Sequence, residues 1–253
     1  MFTEERQQAI IQLLNQNGSV SVRDLSVQFD VTADCIRKDL KALENGGFLK
    51  RTYGGAILSK DYELGRELVD RRNVNQKEKR DIARKAVKLI QSGETIFLDA
   101  STTNLMLAQL LVHTSLKLIV VSNMLDILET LTPNPALDVV GTGGMMNSSI
   151  NGFLGIEAAR SIQMYSFDRG FFGCCGIDQT DMTLTTLGAV DGLTKQTALK
   201  ACRHKYIMMD HSKFDSNECY KFASLDDIDA IVTDREPLPE LKKLIEAEGV
   251  KII

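Results

Sequence analysis

No apolar stretch of the sequence approaches the roughly 18 residues that a membrane-spanning helix needs. Low-complexity, collagen-like and proline-rich stretches are also missing, and the chain contains only four prolines. The first residues, Met1 to Arg6, are acidic and polar, so they lack the basic-then-apolar order of a secretory signal. We therefore expect a globular protein of the cytoplasm that does not associate with a membrane.

The cysteines form neither an even set nor a Cys-x-x-Cys pair, which excludes a disulfide framework as the basis of the fold. The adjacent pair Cys174-Cys175 suggests metal or redox chemistry, but no third or fourth ligand is spaced to complete a metal site. Reduced, packed thiols are the simpler interpretation, and we expect neither a metal nor a cofactor. The five cysteines are Cys35, Cys174, Cys175, Cys202 and Cys219.

The 253 residues suit one large domain or two modest ones, and 43% hydrophobic with 25% charged content is that of an ordinary globular protein. The net charge of −4 is unevenly distributed. Residues 1–58 carry seven basic and seven acidic side chains, residues 59–90 ten and six, and residues 91–253 thirteen and twenty-one. A polyanion would therefore meet the N-terminal third and be repelled by the remainder.

Three short helices are predicted before residue 45 from apolar residues at helical spacing. The first covers about Glu4 to Asn17, the second begins at Ser21 with Asp24 in capping-box position, and Thr32 caps the third. A following hairpin over 48–58 has glycines near its tip, which let backbone amides approach a phosphate. Together these elements predict a winged helix-turn-helix domain over residues 1–58.

The third helix has an inner stripe of Ile36, Leu40 and Leu43, with cations on the opposite side. A short helix that presents cations outward suits the DNA major groove. For an isolated helix, a solvated charged face is the simpler interpretation, and the neighbouring helix and hairpin shift the balance toward DNA binding. Asp34 points with the cations, where phosphate would repel it unless it accepts a hydrogen bond from a cytosine amino group or a neighbouring side chain. The outward cations are Arg37, Lys38 and Lys41.

The motifs Ile36-Arg37-Lys38-Asp39-Leu40 and Arg51-Thr52-Tyr53-Gly54-Gly55-Ala56 resemble the N-terminal signature of the DeoR family of bacterial transcriptional regulators. The resemblance implies that this segment binds double-stranded operator DNA. The residues expected at that interface are Thr32, Arg37, Lys38, Lys41, Arg51, Tyr53, Gly54 and Gly55.

A charged connector over 59–75 is predicted to be a linker, and from residue 76 to residue 253 helical and strand patterns alternate. Such alternation predicts an α/β domain with a largely parallel sheet, in which ligands bind at the carboxyl ends of strands. The predicted strands are Thr95–Leu98, Leu116–Val121, Leu137–Val140, Arg169–Phe172, Tyr206–Met209, Ile228–Val232 and Val250–Ile253.

Polar residues or glycines follow four of these strands, and a charged pair lies at the start of a helix. Ser101, Thr102 and Thr103 open a helix, where free amides and the helix dipole suit an anion, although simple N-capping explains the hydroxyls equally well. Asp191 and Lys195, four residues apart at a helix start, form either a site pair or a surface ion pair. The remaining positions at strand ends are Asp99, Gly144, Gly173, Gly176, Asp178 and Lys213.

Motifs such as Gly173-x-x-Gly176-Ile177-Asp178 and Asp210-His211-Ser212-Lys213-Phe214 are similar in order and spacing to the effector domain of the same family. The resemblance covers nearly the whole chain. It implies a fold related to ribose-phosphate isomerases and coenzyme A transferases, and a sugar-phosphate effector. By the same resemblance, Ser101, Thr102, Thr103 and Lys213 would bind the phosphate, whereas Asp99, Asp178 and Asp191 would bind hydroxyls.

The leading hypothesis is therefore a repressor of a carbohydrate-utilisation operon, acting as a dimer or tetramer and modulated by a phosphorylated sugar. A rival hypothesis is a sugar-phosphate isomerase with an appended DNA-binding module. Aldose–ketose isomerisation needs a base and an enediolate stabiliser, and nothing in the sequence places Asp191, His211 and Lys213 together. A third hypothesis is a helix-turn-helix that serves only protein contacts.

Overall fold

The computed structural model describes residues 3–45, 49–58 and 71–253. The chain divides into two compact units, Met1–Asn75 and Gln76–Ile253. Residues 46–48, which follow the third helix, and most of the predicted linker lie outside the described residues. Among the described residues, no helix is long and apolar enough to cross a membrane.

The smaller unit combines three helices with a small antiparallel sheet. Its elements are α1 (Thr3–Asn17), β1 (Ser19–Ser21), α2 (Val22–Gln28), α3 (Ala33–Asn45), β2 (Leu49–Thr52) and β3 (Gly55–Leu58). Strand β3 pairs with both β1 and β2. Its core consists of the apolar stripes expected from the sequence, and its buried members are Ile10, Leu14, Leu25, Ile36, Leu40, Leu43, Leu49 and Ala56.

Two polar caps fix where the second and third helices begin. The Ser21 hydroxyl accepts from the amide of Asp24 at 3.0 Å, and the Thr32 hydroxyl accepts from the amide of Cys35 at 3.3 Å. Asp30 turns the chain between the helices with a φ of 51°. The predicted helix starts at Ser21 and Thr32 are therefore confirmed. Strand β1 was not expected, because three residues are too few to show an alternating pattern.

The larger unit contains a seven-stranded parallel sheet in the order β15-β14-β12-β9-β4-β5-β6. The predicted parallel α/β architecture is confirmed. These strands are β4 (Thr95–Leu98), β5 (Leu118–Ser122), β6 (Leu137–Gly141), β9 (Phe167–Gly173), β12 (Cys202–Met208), β14 (Ala230–Val232) and β15 (Lys251–Ile252).

Six α-helices accompany the strands of this unit within the described residues. They are α4 (Gln76–Ala86), α5 (Thr102–Leu111), α6 (Leu125–Leu131), α7 (Ile156–Gln163), α8 (Ala189–Lys200) and α9 (Pro239–Ala247). Aromatic side chains pack the centre of the sheet: Phe97 lies 5.3 Å from Phe167 and 5.8 Å from Phe172, measured between ring centroids.

Two small antiparallel sheets accompany the main one and were not predicted. One pairs β7 (Met145–Asn147) with β8 (Gly152–Leu154). The other joins β10 (Gly176–Asp178), β11 (Thr183–Thr186) and β13 (Tyr220–Ser224). The latter sheet begins three residues after the carboxyl end of β9, so it borders the edge where ligands bind in parallel sheets.

Candidate functional site

The exposed face of α3 carries the cations that the sequence predicted. Arg37, Lys38 and Lys41 are exposed, whereas Ile36 and Leu40 are buried. Within the part of the chain that the structure describes, Lys38 and Lys41 have no ion-pair partner. Helix α3 therefore presents basic side chains on one face and anchors itself with the other.

Arg37 and Arg51 are each held by an acidic residue of α3. Arg37 Nη1 lies 2.5 Å from Asp34 Oδ1, three residues earlier. Arg51 Nε lies 2.7 Å from Glu44 Oε2, and the Arg51 amide donates to Oε1 of the same carboxylate. The amide and guanidinium of Arg51 lower the pKa of Glu44 below its ordinary value. Arg51 is thereby fixed on the strand that follows the helix.

The turn between β2 and β3 places Tyr53 fully in solvent. Gly54 adopts a φ of +86°, which favours glycine. A Cβ on Gly55 would lie 2.1 Å from the carbonyl oxygen of Val20, so this glycine is required by the packing of β1. The Gly54 carbonyl accepts from the amide of Val22.

A buried ion pair that sequence reasoning did not identify fixes α3 against α1. Arg6 Nε lies 2.6 Å from Asp39 Oδ2, and both side chains are nearly inaccessible. The side-chain amide of Gln7 donates to the other oxygen of Asp39 at 3.2 Å. The apolar spacing of α3 puts Asp39 beside the buried stripe of Ile36, Leu40 and Leu43. This position is the one sign in the sequence that the Asp39 carboxylate is buried.

The second group of predicted residues meets at the carboxyl ends of β4 and β9. Lys195 Nζ, from α8, donates to Asp99 Oδ2 and lies 3.7 Å from Asp191 Oδ2. Asp99 Oδ2 also accepts from the amide of Gly173 at 3.0 Å, and Thr186 donates to Asp191 at 2.6 Å. Asp99 and Lys195 are buried and Asp191 is half-buried, so the three form one cluster at the sheet edge rather than a surface ion pair.

The electrostatics of this cluster follow from its burial. Desolvation alone lowers the pKa of an ammonium group, but the carboxylates of Asp191 and Asp99 outweigh it and raise the pKa of Lys195 above its ordinary value. Burial raises the pKa of Asp99, and attraction to Lys195 opposes that rise. Lys195 therefore stays protonated, and its ammonium group interacts with the side chains of both Asp99 and Asp191.

The loop before α5 is held by side chains from three elements. The Ser101 hydroxyl caps α5 by accepting from the amide of Asn104 at 3.1 Å. The Asn104 side chain donates to the carbonyls of Asp99 and Phe171, and Asn123 accepts from the amide of Ala100. Asn104 and Asn123 are fully buried positioning residues that were not among the predicted site residues.

Gly173 forms the close contact between β9 and the loop before α5. A Cβ at Gly173 would lie 2.5 Å from Cβ of Ser101. Thr102 and Thr103 are buried in the first turn of α5. The structure therefore brings together Asp99, Ser101, Gly173, Asp191 and Lys195, with Thr102 and Thr103 on the adjoining helix turn.

Lys213 lies in the short 3₁₀ helix His211–Asp215 that follows β12, the neighbour of β9. Asp210, at the start of that helix, accepts from the amide of Ser212. Burial opposes ionisation of Asp210, but Lys213, Ser212 and the buried Lys79 outweigh it and lower the pKa of Asp210. His211 pairs with Asp234 at 2.8 Å.

Three predicted positions have contacts of a different kind. Asp178 binds Lys221 at 2.9 Å, and this contact lowers its pKa. A Cβ at Gly176 would overlap the carbonyl of Ser216, and one at Gly144, whose φ is +116°, would crowd the backbone of Ala158. These contacts explain the two glycines by packing.

The adjacent cysteines lie between β9 and β10. Burial raises the pKa of Cys174 to about 12, and its sulfur lies 3.5 Å from that of Met209. Among the residues that the structure describes, no group of three or more His, Cys, Asp or Glu side chains is arranged to hold a metal ion.

Comparison with known families identifies both units. Residues 6–61 match the model of the DeoR-like helix-turn-helix domain. Residues 74–235 match the model of the DeoR C terminal sensor domain. Together the two models span most of the chain.

Curated relatives align over nearly their full lengths. An uncharacterised HTH-type transcriptional regulator of Bacillus subtilis is 32% identical, covering 100% of this chain and 96% of the relative. The L-fucose operon activator of Haemophilus influenzae is 30% identical, with 98% of each covered. The glycerol-3-phosphate regulon repressor of Escherichia coli K12 is 32% identical, with 94% and 93% covered.

Solved structures align more loosely. Ribose 5-phosphate isomerase A from Methanocaldococcus jannaschii is 17% identical, with a TM-score of 0.42 and 55% of each chain covered. The translation initiation factor eIF-2B of Pyrococcus horikoshii OT3 is 12% identical, with a TM-score of 0.49, covering 92% of this chain and 88% of that one. The fold class rests on the sheet, the helices and the family models, to which these alignments add nothing.

Proposed function

Because the chain belongs to the DeoR family of transcriptional regulators, we propose that it represses a carbohydrate-utilisation operon and that a phosphorylated sugar modulates its binding to operator DNA. The observation that carries the proposal is the pairing, in one chain, of a basic helix-turn-helix face with a buried polar cluster at the carboxyl edge of a parallel sheet. The relatives named for sugar operons support the class of regulated genes.

The DNA-binding half of the proposal assigns α3 to the major groove. Lys38 and Lys41 provide charge for phosphates, Arg37 lies on the same exposed face, and Tyr53 with Gly54 extends from the hairpin turn. Two copies of the chain would hold two such helices one helical turn of DNA apart. We therefore propose a homodimer or a homotetramer.

The effector half assigns the phosphate to the first turn of α5 and to Lys213. Amides at a helix N-terminus and a lysine are both suited to a phosphate. Lys195 is engaged by two carboxylates, so its part is to hold Asp99 and Asp191 in place for sugar hydroxyls. Asp178, on the small sheet, is paired with Lys221. It binds a sugar hydroxyl only where the effector displaces that lysine.

For the effector to release the protein from its operator, it must bind one conformational state of the protein more tightly than the other. An effector shifts the equilibrium only by its differential affinity for the state that binds DNA less well, because equal affinity for both states shifts nothing. Asp191 and Lys195 both lie on α8, so a ligand at the cluster would contact this helix at two positions.

We also propose that the protein is a regulator without isomerase activity. An isomerase needs a base free to abstract a proton from the substrate carbon. Asp191 Oδ2 accepts from Thr186 and lies 3.7 Å from Lys195 Nζ, so this oxygen is already engaged within the protein. Incubation with pentose and hexose phosphates, followed by NMR, should show no interconversion, and turnover would favour the enzyme instead.

The central experiment is capture of genomic fragments by the purified protein at moderate salt, repeated with a panel of sugar phosphates. We expect enrichment of a site near genes for carbohydrate use and loss of that enrichment with one phosphate. If no genomic site is preferred over random duplex, the proposal fails. Binding without sequence preference would reflect only electrostatic attraction to the DNA phosphates.

A further inference from the structure

The side chains of Asp34 and Arg37 form a tight pair on the outermost surface of α3. Asp34 is the second residue of the helix, and its Oδ1 lies 2.5 Å from Arg37 Nη1. The Asp34 side chain is 81% exposed and that of Arg37 is 61% exposed. An exposed pair of this kind contributes little to folding, so stability does not account for its position.

The other acidic residues of α3 have structural partners. Asp39 is buried against Arg6, and Glu44 binds the backbone and side chain of Arg51. Asp34 alone among the three lies on the face that carries Lys38 and Lys41 and points a carboxylate toward solvent. Next to DNA phosphates such a charge is repulsive, and it therefore lowers affinity for DNA of any sequence.

Base edges supply a partner that phosphates do not. A carboxylate accepts from the amino group of cytosine N4, and a guanidinium donates two hydrogen bonds to O6 and N7 of guanine. The Asp34–Arg37 pair holds one acceptor and several donors at fixed spacing near the N-terminus of the helix, which is the part that reaches base edges in helix-turn-helix proteins.

We propose that Asp34 is a specificity-determining residue, which together with Arg37 reads a cytosine and a guanine at the same or adjacent base pairs of the operator. This inference rests on the proposed operator binding. The Asp34 carboxylate favours one base and repels the phosphate backbone of the DNA. It therefore raises the ratio of specific to nonspecific affinity. An acid that only stabilises the first turn of the helix would repel the DNA phosphates but would favour no base.

The test compares the full-length wild type with Asp34→Asn and Asp34→Ala, using selection from a randomised duplex library and then affinities for single base-pair variants of the selected site. We expect the wild type to prefer cytosine at one position by about tenfold to a hundredfold. Asp34→Asn should shift that preference toward adenine, because an amide pairs with adenine N6 and N7. Asp34→Ala should lose the preference and bind random duplex more tightly.

Asp81→Ala is the matched control. Asp81 and Arg84 on α4 have the same three-residue spacing, with Arg84 again 61% exposed, but they lie in the larger unit. This variant should retain the wild-type base preference and affinity for random duplex.

The outcomes separate the inference from the proposal beneath it. If both Asp34 variants change affinity equally for all sequences, Asp34 is only a repelling charge and the inference is wrong. The inference is also wrong if both variants lower thermal stability without changing the preferred base. If the wild type selects no sequence at all, the proposed operator binding itself fails.

Discussion

Arg6 Nε lies 2.6 Å from Asp39 Oδ2, which joins two buried side chains 33 residues apart. The pair connects α1 to α3, the helix that carries Arg37, Lys38 and Lys41. Because both groups are almost inaccessible to water, each needs the other to compensate its desolvation. The orientation of α3 therefore depends on this contact as well as on its apolar stripe.

Asp39→Asn should destabilise the smaller unit by about 3 kcal/mol, since it leaves the Arg6 guanidinium buried without its carboxylate. Urea unfolding followed by circular dichroism would measure the change. The exposed pair provides the control: Asp34→Asn should change the free energy of unfolding by less than about 0.5 kcal/mol. Equal losses in the two variants would show that burial of the Arg6–Asp39 pair is unimportant.

Arg37→Ala should abolish preference for the operator over random duplex while leaving effector affinity unchanged. The reason is that Arg37 lies on the exposed face of α3 and makes its ion pair within that helix. Fluorescence anisotropy on labelled duplexes and calorimetry with the effector would measure the two affinities. Arg84→Ala serves as the control, and intact operator preference in Arg37→Ala would remove α3 as the reading helix.

The sequence predicted the architecture well where local signals are strong. The predicted bounds of the strand Thr95–Leu98 agree with the structure, because a short apolar run marks them unambiguously. The strand predicted over Tyr206–Met209 begins four residues earlier, at Cys202. Its first half carries Arg203, His204 and Lys205, and these polar residues conceal the strand from a hydrophobicity pattern.

Contacts between distant residues could not be predicted in the same way. Asp178 follows the same strand end as Gly173, so it was grouped with the site, but β10 pairs with β11 and brings Asp178 to Lys221. Asn104 and Asn123 hold the loop before α5 through bonds to other elements. Such partners depend on strand order, which no local pattern encodes.

Lys213→Ala should weaken effector binding far more than operator binding, because a lysine at the sheet edge supplies a point charge for the phosphate. Calorimetry with the effector that the genomic capture identifies would measure the loss, which we expect to be tenfold or more, or about 1.4 kcal/mol. Lys200→Ala, an exposed lysine at the end of α8, is the control. Unchanged affinity in Lys213→Ala would move the phosphate site elsewhere.

Gly173→Ala should impair effector binding through steric displacement of the loop before α5. The added Cβ would lie 2.5 Å from Cβ of Ser101, which is attached directly to backbone and cannot rotate away. Overpacking of this kind costs about 1–3 kcal/mol of stability, and thermal unfolding would detect it.

The double variant Gly173→Ala with Ser101→Gly provides the decisive comparison. Removing the Ser101 side chain removes the clash, and glycine at a helix N-cap costs only a few tenths of a kcal/mol relative to serine. We expect recovery of most of the lost stability. If the double variant is no better than Gly173→Ala alone, the contact between Gly173 and Ser101 is not the cause.

Asp210→Asn tests the charges around the 3₁₀ helix that carries Lys213. The pKa of Asp210 is lowered in the folded protein, despite its burial, by Lys213, Ser212 and Lys79. The ionised carboxylate therefore contributes stability that is complete above the ordinary aspartate pKa of about 3.9 and is lost as the pH falls through the lowered folded value.

At pH 7 the Asp210→Asn variant should be less stable than the wild type by about 3 kcal/mol, because its side chain no longer attracts Lys213 and the buried Lys79. The difference should narrow below about pH 4, where the Asp210 carboxylate of the unfolded wild type begins to take up protons. Urea unfolding at pH 7 and at pH 3 would measure both differences, with Asp138→Asn, an exposed residue of β6, expected to match the wild type at either pH. A difference that stays constant over this range would mean that the lost stability comes from packing rather than from charge.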